Sequence, residues 1–265
     1  MKQRRSKPNP NNIPGVYNYC DAWCERCYFT SRCTNYQMQR EMEKGKDIDD
    51  LSNEEFWEEI EDNLGNALSM LHDAADEMGI DLNEISDEEM EEIGRERDKI
   101  HEEAEDTWIA KVAKKYGDDV HKWIKKNTSL FEEKEKELEK DLLLNISNDQ
   151  IIGRSFAIND AMEIVMWYHF FIYVKLRRAL QGKLDKEQQE WYEEENFPKD
   201  SDGSAKIALI SMDRSISAWG VIYNHFPEQG DEVLNYLMTL EKLRNAAEKE
   251  FPDARKFVRP GFDER

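Results

Sequence analysis

The sequence predicts an all-α protein, a bundle of five to six helices preceded by a small cysteine-bearing element. Three observations carry this. Two Ser-x-x-Glu boxes, Ser52 with Glu55 and Ser86 with Glu89, stand directly before apolar residues spaced three and four apart. Glycines end such runs, at Gly79 and Gly182 among others. No stretch of useful length alternates with the two-residue period of a strand, and no repeat of roughly 20–50 residues stands out.

The elements follow in order. Phe56, Trp57, Ile60, Leu64, Ala67, Leu68, Leu71, Ala75 and Met78 make the stripe of a first helix, ended by Gly79. Ser86 opens a second, with Met90, Ile93, Ile100, Ala104, Trp108 and Val112 on one face and a close near Gly117. The joint between them is short enough to make them antiparallel neighbours. Residues 118–147 hold weaker signals, read as two short helices. A third long helix runs from about Asp149 to Gln181. It is apolar nearly all round between Ala161 and Val174, which predicts cover from several partners. The apolar run Ile164–Val174, interrupted by His169, is too short to span a bilayer. A short helix at "DKEQQEWYEEE", a turn at 196–203, a helix at 204–224 and a last one at about 228–250 complete the chain. Pro227 and Pro252 bracket that last helix. The expected division is 1–46 for the cysteine element and 47–265 for the bundle.

Charge is unevenly spread. The 265 residues carry a net charge of −21. Residues 1–46 hold nine Lys/Arg against four Asp/Glu, whereas residues 47–106 hold three against twenty-five. The acidity therefore belongs to one segment. Nucleic acid is not the expected partner, because phosphate binding rests on Lys and Arg. An acidic face over the helices at 52–116 is read first as solvated surface and second as a dock for a basic protein or a redox partner. The start is basic, then rich in Pro and Asn, with no apolar run behind it, so a cytoplasmic protein without a membrane span is expected.

All the specific chemistry lies in "YCDAWCERCYFTSRCTNY", residues 19–36. Cys20, Cys24, Cys27 and Cys33 are the only cysteines, and they fall within fourteen positions with the spacing C-x3-C-x2-C-x5-C. In a reducing compartment such a cluster points to metal ligation before disulfides. Four thiolates suit one tetrahedral Zn²⁺ or the four irons of a cubane. Paired short spacings are usual for zinc and only one C-x2-C is present, which favours iron. A surround of Tyr17, Tyr19, Trp23, Tyr28, Phe29 and Tyr36 would limit solvent at a cluster, though the same rings would also serve to pin the loop to the bundle. Iron–sulfur leads and zinc stands beside it.

Cys20-x3-Cys24-x2-Cys27 is similar to the radical-SAM signature. Arg26 stands where that family has an aromatic, Cys33 supplies a fourth ligand, and no alternating strands and helices are present. Cys24-x2-Cys27-x5-Cys33, with Tyr36 shortly after, resembles the iron–sulfur loop of the helix-hairpin-helix DNA glycosylases. The likeness covers residues 20–36 alone, and the spacer after Cys20 is three residues where that family has six. It implies that Cys20, Cys24, Cys27 and Cys33 hold a [4Fe-4S] cluster in an electron-transfer, redox-sensing or structural role. The alternative is a zinc knuckle in an interaction protein.

Elsewhere the signals are fewer. None of His72, His101, His121, His169 or His225 has a Glu three residues before it, so the two-iron carboxylate pattern is missing. Asp160 and Glu163 share a face of the third long helix, and Asp213 and Arg214 interrupt an apolar run rich in small residues. If buried, these four must form a salt-bridge network, with Arg214 answering Asp160 or Glu163, or line a small polar pocket fit for acid, base or ligand work. No phosphate-binding Gly loop, Gly-x-Ser-x-Gly elbow or Cys/His dyad is seen, and whether the chain is an enzyme stays open.

Overall fold

The computed structural model describes residues 9–43, 86–143, 148–195 and 197–263, together with 64, 65, 68, 69, 71–73, 75 and 79. Among them every regular element is a helix, so the all-α expectation holds. The α-helices are α1 (Thr34–Glu43), α2 (Asp87–Asp106), α3 (Trp108–Leu143), α4 (Asn148–Leu184), α5 (Lys186–Glu194), α6 (Asp200–His225) and α7 (Gly230–Glu250). Most of the helix expected from Ser52 to Met78, its capping box included, lies outside the described residues; those of its positions that are described, from Leu64 to Ala75, are helical.

The chain forms two compact units. One comprises Met1–Ile13 with Arg26–Lys99, the other Pro14–Glu25 with Ile100–Arg265. In the first, the box at Ser86 is formed. Ser86 Oγ accepts from the Glu89 N–H at 3.2 Å while Glu89 returns its carboxylate to the Ser86 N–H at 2.8 Å, which starts α2. The same contact holds the Glu89 carboxyl below its usual range.

The second unit is built around α4 and α6, with α3 packed on α4 and α7 on both α6 and α3. Its helix boundaries correct the expected ones. The helix opened at Ser86 does not run to Gly117. It ends at Asp106, and Thr107 starts the next by accepting the Ala110 N–H on its hydroxyl at 3.2 Å. From Trp108 one helix then runs through Gly117 to Leu143, replacing the short helices expected at 118–147. Gly117 is a crossing point, since a Cβ there would lie 2.8 Å from the Phe170 ring and 2.9 Å from the His169 carbonyl oxygen. The missing side chain lets α3 approach α4. Gly117→Ala is expected to lower stability by about 1–2 kcal/mol in urea unfolding, because the backbone clash outweighs the roughly 1 kcal/mol gain in helix propensity. An unchanged midpoint would remove the close-approach argument.

Gly182 likewise lies inside a helix, since α4 continues to Leu184; Asp185 then caps α5 by accepting the Gln188 N–H. In α6, Ala208, Ser211, Ser215 and Ala218 are buried, as close packing requires, whereas a Cβ on Gly220 would meet nothing within 4 Å. The aromatic core lies between α3, α6 and α7. Trp219 is fully buried and donates its indole N–H to the Tyr116 hydroxyl at 2.9 Å, and Trp123 meets it edge-on at 5.0 Å between centroids. Burial drives the Tyr116 phenol pKa upward. α4 departs from the all-round burial predicted for it. Val165, Tyr168, Ile172 and Leu176 are covered, while Met166 and Val174 are 52% and 53% exposed. No helix among the described residues is long and apolar enough to cross a membrane.

Candidate metal-binding strap

The four cysteines divide between the two units, Cys20 and Cys24 with the second, Cys27 and Cys33 with the first. All four are half-buried thiols and none is in a disulfide.

In the second unit, Pro14–Glu25 forms a strap fastened at both ends. Gly15, at φ +71°, begins it with a turn closed by the Asn18 N–H on the Gly15 carbonyl at 3.0 Å. Tyr19 sits edge-on against Phe257 at 4.6 Å and over Gly203 of α6, where a Cβ would come within 2.4 Å of the ring. Its hydroxyl donates to Asp200 Oδ1 at 3.1 Å, and Asp200 is gripped by Arg178 through two bonds of 2.8 and 3.0 Å. Burial, then the Asp200 carboxylate, raise the Tyr19 phenol pKa well above its ordinary value. Two residues on, the Asp21 carboxylate accepts from the Tyr168 hydroxyl at 2.7 Å and from Arg214 at 2.5 Å. The Asp21 carbonyl accepts the Trp167 indole N–H at 2.9 Å. Trp23 is buried, stacked on Trp167 at 5.0 Å and 13°, and edge-on to Tyr168 at 5.8 Å. Ala22 holds φ +56°, a left-handed turn that L side chains disfavour. Cys20 lies between the two anchors, with its thiol donating to the Tyr17 carbonyl at 3.5 Å.

In the first unit, short 3₁₀ turns precede α1. The Phe29 N–H donates to Cys27 Sγ at 3.4 Å. The Gln37 N–H donates to the Cys33 carbonyl at 3.1 Å, so Cys33 stands at the N-terminus of α1. Asn12 and Gln37 exchange side-chain amide bonds at 3.0 and 3.2 Å, fixing residues 9–13 against α1.

Several predicted site residues stand elsewhere than expected. Tyr28 is 95% exposed and Tyr17 45%, so neither shields the cysteines. Tyr19 and Trp23 face the helices and pin the strap, which removes most of the aromatic reason for preferring iron. Arg214 answers Asp21 and Tyr168, not the carboxylates of α4. Asp213 pairs instead with Arg255 at 2.6 Å and Arg244 at 3.2 Å. Glu163 is exposed, and Asp160 and Asp213 are half-buried, so the premise of four buried groups fails. His169 and His225 turn Nδ1 to helix carbonyls, of Met166 and Val221.

The donor set, four thiols and no competing disulfide, suits a thiophilic metal. Among the described residues no three His, Cys, Asp or Glu are gathered as a ligand group. The chain is thus an all-helical protein whose cysteine segment is anchored in part on its helices by aromatic and ionic contacts. No family model, curated protein or solved structure matches it.

Proposed function

We propose that Cys20, Cys24, Cys27 and Cys33 together bind a [4Fe-4S] cluster that serves electron transfer, redox sensing or the ordering of the segment. The observation that carries this is the confinement of every cysteine of the chain to fourteen positions, all as half-buried thiols. Four thiolates leave no iron open, so substrate activation at the cluster is not part of the reading. The Phe29 N–H bond to Cys27 Sγ supports it, since hydrogen bonds to the sulfurs are among the features that tune such a cluster. A basic or redox partner would meet the acidic surface, to which α2 contributes Asp87, Glu88 and Glu89 in its first turn.

Zinc is the second reading, favoured by the exposure of Tyr17 and Tyr28, since a structural Cys₄ zinc site needs no apolar shell. The test is metal and acid-labile sulfide content of anaerobically purified protein, beside Cys24→Ser. Iron and sulfide in equal amounts, with a visible band bleached by dithionite and lost in the variant, is the expected result. One zinc without sulfide would replace the cluster by the knuckle. Neither metal would end both readings.

A further inference from the structure

Between α3 and α7 the helical unit holds an open cleft of about 540 Å³, within the range of small-molecule sites, roughly 300–1,000 Å³. Its α3 wall is one face of that helix, where Lys115, Asp119, Lys122 and Lys126 follow at spacings of three and four. Its α7 wall is formed by Glu232, Asn235, Tyr236 and Thr239.

The floor is aromatic and fixed. Tyr116 and Trp123 are buried, and the half-buried Tyr236 ring stands edge-on to both, at 6.1 and 6.3 Å between centroids. Trp219 backs the same ring at 4.8 Å, and the Tyr236 hydroxyl donates to the Asp119 carbonyl at 3.4 Å. A ring held by three aromatics and a hydrogen bond does not turn in to fill the cleft. Its surface is therefore offered without the ordering cost that binding otherwise carries.

The rim is basic. From Lys111 to Lys126, α3 carries six lysines against Asp118 and Asp119, a local excess of four positive charges in a chain of net charge −21. Within the cleft Lys115 and Lys122 share one carboxylate, since Asp119 Oδ2 is taken by Lys115 and Lys122 stands 4.0 Å from Oδ1. Lys126 meets Glu232 at 3.2 Å, but both are exposed, and an exposed pair opens at small cost. Three lysines against two carboxylates leave one positive charge in excess, and Lys122 is the least well matched.

We infer that the α3–α7 cleft binds a small organic anion, with its apolar or aromatic body on Tyr236 and its charged head at Lys122. Both parts are needed. A bare inorganic anion would gain only screened attraction from exposed lysines, and an uncharged ring would leave Lys122 unanswered. The inference does not rest on the four-cysteine reading.

The test is a titration of the full chain with anilinonaphthalene sulfonate, an anion of this build, whose fluorescence is expected to saturate at one probe per chain. Lys122→Met is expected to weaken binding about fivefold. Lys125→Met, which alters an exposed lysine of α3 outside the cleft, is expected to leave it unchanged, and Thr239→Trp, which fills the cleft, to abolish it. The uncharged N-phenylnaphthylamine is expected to bind more weakly and to ignore Lys122→Met. Displacement of the sulfonate by octanoate or by phenyl phosphate then assigns a carboxylate or a phosphate head. Binding that survives a folded Thr239→Trp would overturn the inference, by placing the probe on other exposed apolar surface such as Met166 and Val174. Should Thr239→Trp not fold, Lys122→Met, a change at an exposed side chain, decides alone. Equal loss in the two lysine variants would overturn the inference as a general effect of charge, and no loss in Lys122→Met, or an uncharged probe bound as tightly, would overturn the anion. Wild type that binds no probe, or yields it to neither competitor, would end the inference.

Discussion

Trp219→Ala is expected to lower the stability of the helical unit by about 3–5 kcal/mol, the range for deleting a buried aromatic side chain. Two costs coincide there. The indole is fully buried among Trp123 and Tyr236, at centroid distances of 5.0 and 4.8 Å, so its removal opens a cavity that rigid aromatic walls cannot refill. The Tyr116 hydroxyl, itself buried, also loses its donor. Trp219→Phe separates the two, because it retains most of the volume and removes only the N–H. It is expected to cost about 1–3 kcal/mol, and urea midpoints of the three proteins measure the difference. Equal losses in both variants would mean that the hydrogen bond dominates. A native midpoint in Trp219→Ala would mean that the α3–α6–α7 core is not the stabilising centre.

The parts of this architecture legible in sequence were those written in local chemistry. The Ser86–Glu89 box and the buried small residues Ala208, Ser211, Ser215 and Ala218 of α6 act within a turn or along one face, and stand as expected. The errors came where a residue's meaning depends on a distant neighbour. Gly117 carries the same letter as a helix stop, and only the approach of α4 makes it an interior position. Thr107 gave no strong signal, yet its hydroxyl separates α2 from α3. Arg214 was conspicuous as a cation in an apolar run, but its partner lies 193 positions earlier, in the strap itself. No periodicity joins Asp21 to Tyr168. The one available hint was that Trp167 and Tyr168 are aromatics with polar handles, which need partners when buried. The cysteine cluster was plain from spacing alone. Its surroundings were not, because an aromatic beside a cysteine is equally able to shield it, as Tyr28 does not, or to anchor the chain, as Trp23 does.

That anchoring makes Gly203→Ala the variant with the second largest expected effect, and its effect falls on the strap. A methyl group there would lie 2.4 and 2.6 Å from two carbons of the Tyr19 ring and 2.8 Å from Phe257, closer than carbon atoms approach. Both rings must leave, and with Tyr19 goes the hydroxyl bond to Asp200. The helix itself tolerates the change, since alanine is favoured over glycine by about 1 kcal/mol within α6. The cost is therefore local. Residues 14–25 are expected to lose protection in hydrogen exchange, and chymotrypsin is expected to cleave at Tyr17, Tyr19 or Trp23 at least about tenfold faster, while the helices keep their slow exchange. Gly220→Ala on the same helix, where a Cβ meets nothing, serves as the comparison and should be neutral or slightly stabilising. If the four cysteines hold metal, Gly203→Ala should also release it faster, because Cys20 is carried by the segment that Tyr19 fastens. A variant that frees the strap yet keeps its metal would place the energetic burden on the Asp21 anchor, where Tyr168, Arg214 and Trp167 hold the chain immediately beside Cys20. A variant whose strap stays protected would show that α6 shifts to accept the methyl group, and that Tyr19 is a follower of the strap's position rather than its cause.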